Sequence, residues 1–439
     1  MKPRRFSWLA AFALAAHSTT LFAQTIVWTN TSSGVWGTAV NWSPNVVPGS
    51  GQTAVIAVPG VTVSLNQAVT INGLTIGTNS GSTVTFSLAG NTLTLDGPVT
   101  VNPTGSFTID SGMIDGSSNA VLHGTYNWTG GILDGTLTLA SGGTLDINNA
   151  AATMPNCTFT NAGTINWVSG NINGGAGGTQ IYNSGLWACQ SSGTLSDSGE
   201  GGNVTFNNSG TLRIVEGTNT ATFGTSTSLV DTGVIDAQSG TLSLQAGASL
   251  FGGTATNLNG SVQLANGTFT INGTVTGNTV ELMGGTLTGQ NLLQGALAWS
   301  GGSWNSATVT VSNGCTLSIE GGANPMLMPN CNVTNRGTIA WSSGHIEAGA
   351  GGTEIYNAGL WNCQFNGTLD NSGQGGPITF TNAGTLRQSA GSGTTIIGNG
   401  VTVVNTGTID TQVGTLSLQG TAADLIGGTA INTNGLLQL

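Results

Sequence analysis

Basic residues are nearly missing from this chain. Its 439 residues hold six Lys and Arg against 17 Asp and Glu, a formal net charge of −11. Lys2, Arg4 and Arg5 lie at the very start, so the chain after position 23 keeps only Arg213, Arg336 and Arg387 and has no lysine. Its balance there is 3 − 17 = −14. A nucleic-acid binder needs clustered cations to displace phosphate counterions, and this chain cannot supply them. Attachment to an anionic membrane surface through a basic patch is excluded for the same reason. A P-loop or a lysine Schiff base is impossible without lysine.

Proline and long apolar runs are scarce as well. There are 72 Gly and only 10 Pro, and Thr, Ser and Asn abound. Gly, Ser, Asn and Thr are weak helix formers, which points to strands and turns. Such polar richness can also mean disorder, but charged residues make up only 5% and the apolar residues are regularly placed. One apolar stretch, Trp8 to Ala16, follows the basic start, and Leu21-Phe22-Ala23 precedes Gln24. This reads as an export signal cleaved after Ala23, the run being short for a retained bilayer-spanning anchor. Extracellular or cell-surface location is therefore expected.

What is present is repetition at two scales. The short repeat is a turn, Asn-x-Gly followed by an apolar pair or nearly so. It begins at Asn161, Asn183, Asn208 and Asp231, so successive starts differ by 22, 25 and 23. The same steps recur from Asn335 through Asn357 and Asn382 to Asn405. The long repeat is a near copy at an offset of 174. It matches Cys157 with Cys331, Trp167 with Trp341, Tyr182 with Tyr356, Trp187 with Trp361 and Arg213 with Arg387.

Steps of 22–25 suit one coil of a right-handed parallel β-helix, an all-β solenoid with three short strands per coil. Apolar residues alternate with period two around each turn. Three inward columns are expected. They are Ile165, Trp187, Leu212 and Ile235; Trp167, Cys189, Ile214 and Ala237; and Phe159, Ile181, Phe206 and Leu229. Thr158, Thr160, Thr164 and Asn166 should face water. Asn and Gly are expected at the corner for their tolerance of left-handed backbone angles.

The expected organisation is a signal peptide at 1–23, a Trp-rich N-terminal cap at 24–60 and first coils at 61–110. A first repeat copy follows at 111–264, a linking coil at 265–283 and a second copy at 284–439. A solenoid end exposes pairing groups and needs covering. Trp28, Trp36 and Trp42 suit such a cap, and equally a platform on which glycan rings stack. The chain is expected to continue beyond Leu439, because in the first copy the equivalent Leu264 runs on into another strand.

Gly34-Val35-Trp36, Asn41-Trp42, Pro44 and Ala54-Val55-Ile56 resemble the start of bacterial surface proteins with autotransporter-type β-strand repeats. The recurrent Asn-x-Gly turns and Trp299-Ser300-Gly301-Gly302 are similar too. The resemblance covers most of the chain after the signal. It implies a β-helical, surface-exposed passenger, often an adhesin, with cell-surface glycans or matrix as partners. No C-terminal membrane barrel is evident, so self-translocation is not implied. Gln52 stands where this type of segment has an acid, which puts a bound cation there in doubt.

Candidate chemistry is thin. Cys157 and Cys189 are spaced like Cys331 and Cys363 (189 − 157 = 363 − 331 = 32), so each copy has a candidate disulfide in an oxidising compartment. The alternative is that they are small buried apolar residues. Cys315 has no counterpart. No Cys-x-x-Cys occurs, His123 and His345 stand alone, and no metal or cofactor is expected. A polysaccharide lyase or hydrolase would need carboxylates at a set separation, or carboxylates with a basic partner. The best cluster is Arg213, Asp231 and Asp236, with Arg387 and Asp410 in the second copy. The frame instead makes Arg213–Asp236 and Arg387–Asp410 a surface ion-pair ladder, and Asp231 and Glu216 become Asn405 and Ala390. No catalytic residue is assigned. The expected function is a non-catalytic structural or adhesion protein, with a carbohydrate-active enzyme as the alternative. Ice binding through outward Thr pairs such as Thr136/Thr138, Thr308/Thr310 and Thr92/Thr94 is a third reading.

Overall fold

Alternation of apolar and polar residues builds the wall of this molecule. The computed structural model describes residues 24–439 apart from 198–200, 216, 246–247, 258, 272–273, 277–279, 372–374 and 421–424. The expected signal peptide and Glu216 lie outside the described residues. Within strands such as Cys157–Asn161 and Val204–Asn208, buried and half-exposed residues alternate strictly. One face of each strand meets the interior, and the other meets water.

The chain is a parallel β-solenoid with three strand stacks. The first stack contains Gln52–Ile56, Gly73–Ile76, Cys157–Asn161 and Thr179–Asn183. The second takes in Thr164–Trp167 and then Leu186–Cys189, and the third runs from Gly193–Ser196 to Thr220–Phe223 and Thr241–Leu244. Register is continuous from coil to coil. Ile165 pairs with Trp187, Trp187 with Leu212 and Leu212 with Ile235, all buried. The columns through Trp167 and Phe159 stack in the same way. Each inward Leu, Ile or Phe contributes roughly 1.5–3 kcal/mol by burial, which one coil alone could not collect.

The first strand is closed by a fold-back. Gln24–Trp28 pairs in parallel with Gln52–Ile56 on one edge, and on the other Val27 and Trp28 pair antiparallel with Ser43 and Trp42. Trp28, Trp36 and Trp42 are fully buried there, with Trp42 edge-on to Trp28 at 5.0 Å and to Trp36 at 4.8 Å. Their indole N–H groups donate to the Asn30, Pro48 and Trp36 carbonyls. These rings leave no face for a sugar, which corrects the glycan-stacking reading of all three.

The corner motif works differently from the expectation. Asn161, Asn183 and Asn208 do not take left-handed angles, and neither do Gly163, Gly185, Gly210 and Gly233. The asparagines point inward, fully buried, and form a ladder. Asn161 Nδ2 donates to Asn183 Oδ1 at 2.7 Å and Asn183 Nδ2 to Asn208 Oδ1 at 2.7 Å. Each Nδ2 also donates to a carbonyl of the next coil, Leu186 or Thr211. The second copy repeats the ladder through Asn335, Asn357, Asn382 and Asn405 at 2.7, 2.7 and 2.6 Å. Buried amides are tolerable only when so satisfied. The glycine is required by close approach. A Cβ on Gly185, Gly210 or Gly233 would overlap the carbonyl oxygen of the motif glycine one coil earlier.

The two copies are one face out of step. From Cys157–Asn161, eight successive pairings in the first stack lead through Thr179–Asn183, Val204–Asn208, Thr227–Asp231, Ala248–Phe251, Thr268–Ile271, Thr286 and Ser303 to Met326–Pro329. The counterpart of Cys157–Asn161 is the following strand, Asn332–Asn335, which belongs to the second stack. Coils shorten between the copies. Leu244, Leu264, Leu282, Trp299 and Ile319 pair in succession, and their positions advance by 20, 18, 17 and 20. The coil length expected from the Asn-x-Gly motif therefore holds between successive motifs and not through the coils that lack them.

Candidate functional site

The expected acid–base cluster is split by the wall. Asp231 faces inward at the end of the first ladder, 2.6 Å from Asn208 Nδ2 and fully buried. Asp236 lies on the next strand, where its Oδ2 accepts from Arg213 Nε at 2.8 Å and Gln238 Nε2 at 2.9 Å. Arg387, Asp410 and Gln412 reproduce this trio at 2.8 and 2.9 Å. The aspartates sit deeper than a surface ladder implies, because the Arg and Gln side chains cover them. Two carboxylates on different strands, one inside the wall and one outside it, cannot flank one glycosidic bond.

Cys157, Cys189, Cys331 and Cys363 are free and buried. Cys189 stacks between Trp167 and Ile214, whereas Cys157 belongs to a different strand stack. The disulfide reading is thereby corrected. Burial pushes the Cys189 and Cys363 thiols up to about 12 and Cys331 to about 11. Unreactive core thiols follow from those values. His345 is not isolated as expected, since its Nε2 lies 3.1 Å from Asp370 Oδ1. Among the described residues no three His, Cys, Asp or Glu side chains gather as a metal site.

The outward side of the second stack is more informative. Consecutive strands there present Gln290 and Leu292, Thr308 and Thr310, Asn332 and Thr334, Glu354 and Tyr356, then Thr379 and Thr381. Four coil steps at about 4.8 Å make this strip about 19 Å long. A groove of about 380 Å³ lies at the corner end of this strip, two residues along the strand from Tyr356, and is lined by Asn330, Asn332, Glu354, Pro377 and Thr379 and by the Gly351-Gly352 corner. A shallower one of about 220 Å³ lies on the same face at Gln290, Thr308 and Thr310. The corner beside the larger groove holds Ala350 at φ 38°, followed by Gly351 and Gly352 at 114° and 105°. A non-glycine residue in that region is strained.

Tyr356 stands 45% exposed on this strip, and Tyr182 is 44% exposed in the first copy. Neither hydroxyl has a hydrogen-bond partner among the described residues, and neither ring packs on another aromatic ring there. The surrounding segment is the best preserved between the copies. Positions 175–187 and 349–361 agree at 11 of 13, differing at Gln180/Glu354 and Ser184/Ala358. Most of the shared residues are buried or form the corner, so folding accounts for them. It does not account for an outward tyrosine. The period-two pattern makes these tyrosines legible in the sequence, because Ile181 and Asn183 are inward and Tyr182 must then be outward. Because the copies are one face out of step, Tyr182 and Tyr356 project from different stacks.

Comparison with protein-family models, with curated proteins and with solved structures finds no match.

Proposed function

We propose that this chain is a non-catalytic structural or adhesive protein of the cell surface, which acts through the outer faces of the solenoid. The observation that carries this reading is the use of its polar groups. Asn161, Asn183 and Asn208 are tied into a ladder, and Arg213, Asp236 and Gln238 satisfy one another. Tyr182 and Tyr356 are by contrast outward, 44% and 45% exposed, and without a side-chain hydrogen bond among the described residues. A site that broke a glycosidic bond would instead hold an acid and a base facing one substrate. The N-terminal stretch that reads as an export signal and the resemblance to autotransporter-type surface proteins support the location.

The test is exposure of the purified chain to pectin, alginate and neutral glycans, with release of reducing ends and unsaturated products followed. A parallel array of glycans and matrix proteins measures binding. Binding without product supports the reading. Product formation that is lost in Asp236→Asn overturns it in favour of a carbohydrate-active enzyme.

A further inference from the structure

We propose that the groove beside Tyr356 binds a neutral polysaccharide, with a sugar ring stacked on the tyrosine and its hydroxyls bonded along the groove. This rests on the surface-acting function above and gives it a ligand class and a site.

The chemistry of the strip selects the occupant. A tyrosine ring offers a broad apolar face with a polar tip and little conformational freedom to lose on contact. The apolar C–H face of a pyranose matches the ring. Beside it, Asn330, Asn332 and Thr379 supply donors and acceptors, and Glu354 supplies two acceptor oxygens. Sugar hydroxyls, which both donate and accept, suit that mixture. Among the described residues no cation lines the groove, and Glu354 would repel an acidic polymer. The overall negative balance of the chain acts in the same direction. A protein partner would need a buried apolar core, whereas here Pro377 is the apolar part of the groove and Tyr356 is the one ring beside it. An ice lattice would need a regular Thr array, and Asn332, Glu354 and Tyr356 interrupt it.

The first copy supplies an internal comparison. Tyr182 keeps its exposure, but Glu354, Asn332 and Pro377 correspond to Gln180, Thr158 and Asn203. Tyr182 therefore stands as a second, weaker contact on another face.

The experiment is affinity electrophoresis and calorimetry of the purified full chain. The probes are soluble neutral polymers (a mixed-linkage glucan, a xyloglucan and a galactomannan), the acidic polymers alginate and polygalacturonate, and immobilised matrix proteins. The expected result is retention by a neutral polymer and not by the acidic ones. Tyr356→Ala should lower affinity about tenfold, the loss of one aromatic stacking contact. Tyr356→Phe should retain most of it, and Tyr182→Ala should have a smaller effect. Both tyrosines are exposed, so folding is checked simply by unchanged circular dichroism. The proposal is overturned, with the surface function intact, if a glycan binds equally to Tyr356→Ala, if only acidic polymers bind, or if matrix proteins bind in place of glycans. Binding to none of the probes overturns the proposal, and loss of polymer length during the measurement overturns the non-catalytic reading itself.

Discussion

Asn208 Nδ2 lies 2.6 Å from Asp231 Oδ1, and at the matching rung of the second copy Asn382 Nδ2 lies 2.6 Å from Asn405 Oδ1. One ladder ends on a carboxyl group and the other on an amide. Asp231 is fully buried, and its Oδ2 meets no donor of good geometry among the described residues. Burial pushes its carboxyl up to about 6, against the Asn208 side chain and the Gly233 and Gly253 amides, which favour the ionised form.

Asp231→Asn is expected to stabilise the protein at neutral pH. In the folded state Asp231 holds its proton to about pH 6, whereas the unfolded chain releases it near the ordinary value of 3.8. The folded state binds more protons between those limits, so stability falls as pH rises through that window. The gain from the asparagine should be small at pH 4 and reach about 2–3 kcal/mol at pH 7. Denaturant unfolding of both proteins at the two pH values checks this. Equal gains at both would contradict the buried carboxyl.

Gly210→Ala is expected to be strongly destabilising, by about 3 kcal/mol or more. The added methyl meets the backbone of Ser184 and Gly185 in the preceding coil, which cannot move without opening the stack. Gly201→Ala is the control. Its space is open, but φ of 87° makes it strained, so a cost of about 1–2 kcal/mol is expected there. Thermal unfolding of the two variants separates close approach from backbone strain.

Thiol titration should find five free cysteines in the unfolded, unreduced chain. In the native state only Cys315, which is partly exposed, should react quickly. Fewer than five after unfolding would show that the cysteines are paired.

Arg213→Ala should cost about 1–2 kcal/mol, more than a fully exposed ion pair, because Asp236 is largely covered and loses one of its two side-chain donors. The Arg213 side chain is about one-third exposed, and Gln238 still bonds Asp236 when it is gone. Urea midpoints of Arg213→Ala and wild type at low and high salt measure this.

The columns were legible in the sequence because the alternation of Ile165 or Phe159 with threonine is local and repeats at matched steps. The one-face offset of the copies was not legible. It depends on the shortened coils around Leu264 and Leu282, where the Asn-x-Gly motif gives way to other turn pairs such as Asn266-Gly267 and Gly284-Gly285 that do not share its spacing. The asparagine ladder was hidden for another reason. A corner asparagine in sequence suggests a turn, and only stacking reveals that its amide points inward. The tryptophans show the reverse limit, since composition alone cannot tell a buried ring such as Trp36 from an exposed one. The matched spacing of Cys157 and Cys189 misled because it carries the chain to a different stack.

Coil register sets both the asparagine ladders and the strip beside Tyr356. Thr160, Tyr182 and Asn207 occupy one outward position on three successive coils. Spin labels at Thr160→Cys and Asn207→Cys, in a Cys315→Ser background, should therefore lie two coil rises apart, about 10 Å between backbones. A short distance of that order, found also for Thr334→Cys with Thr381→Cys, is the predicted result. Distances beyond about 20 Å for either pair would contradict the stacked solenoid and everything placed on its faces.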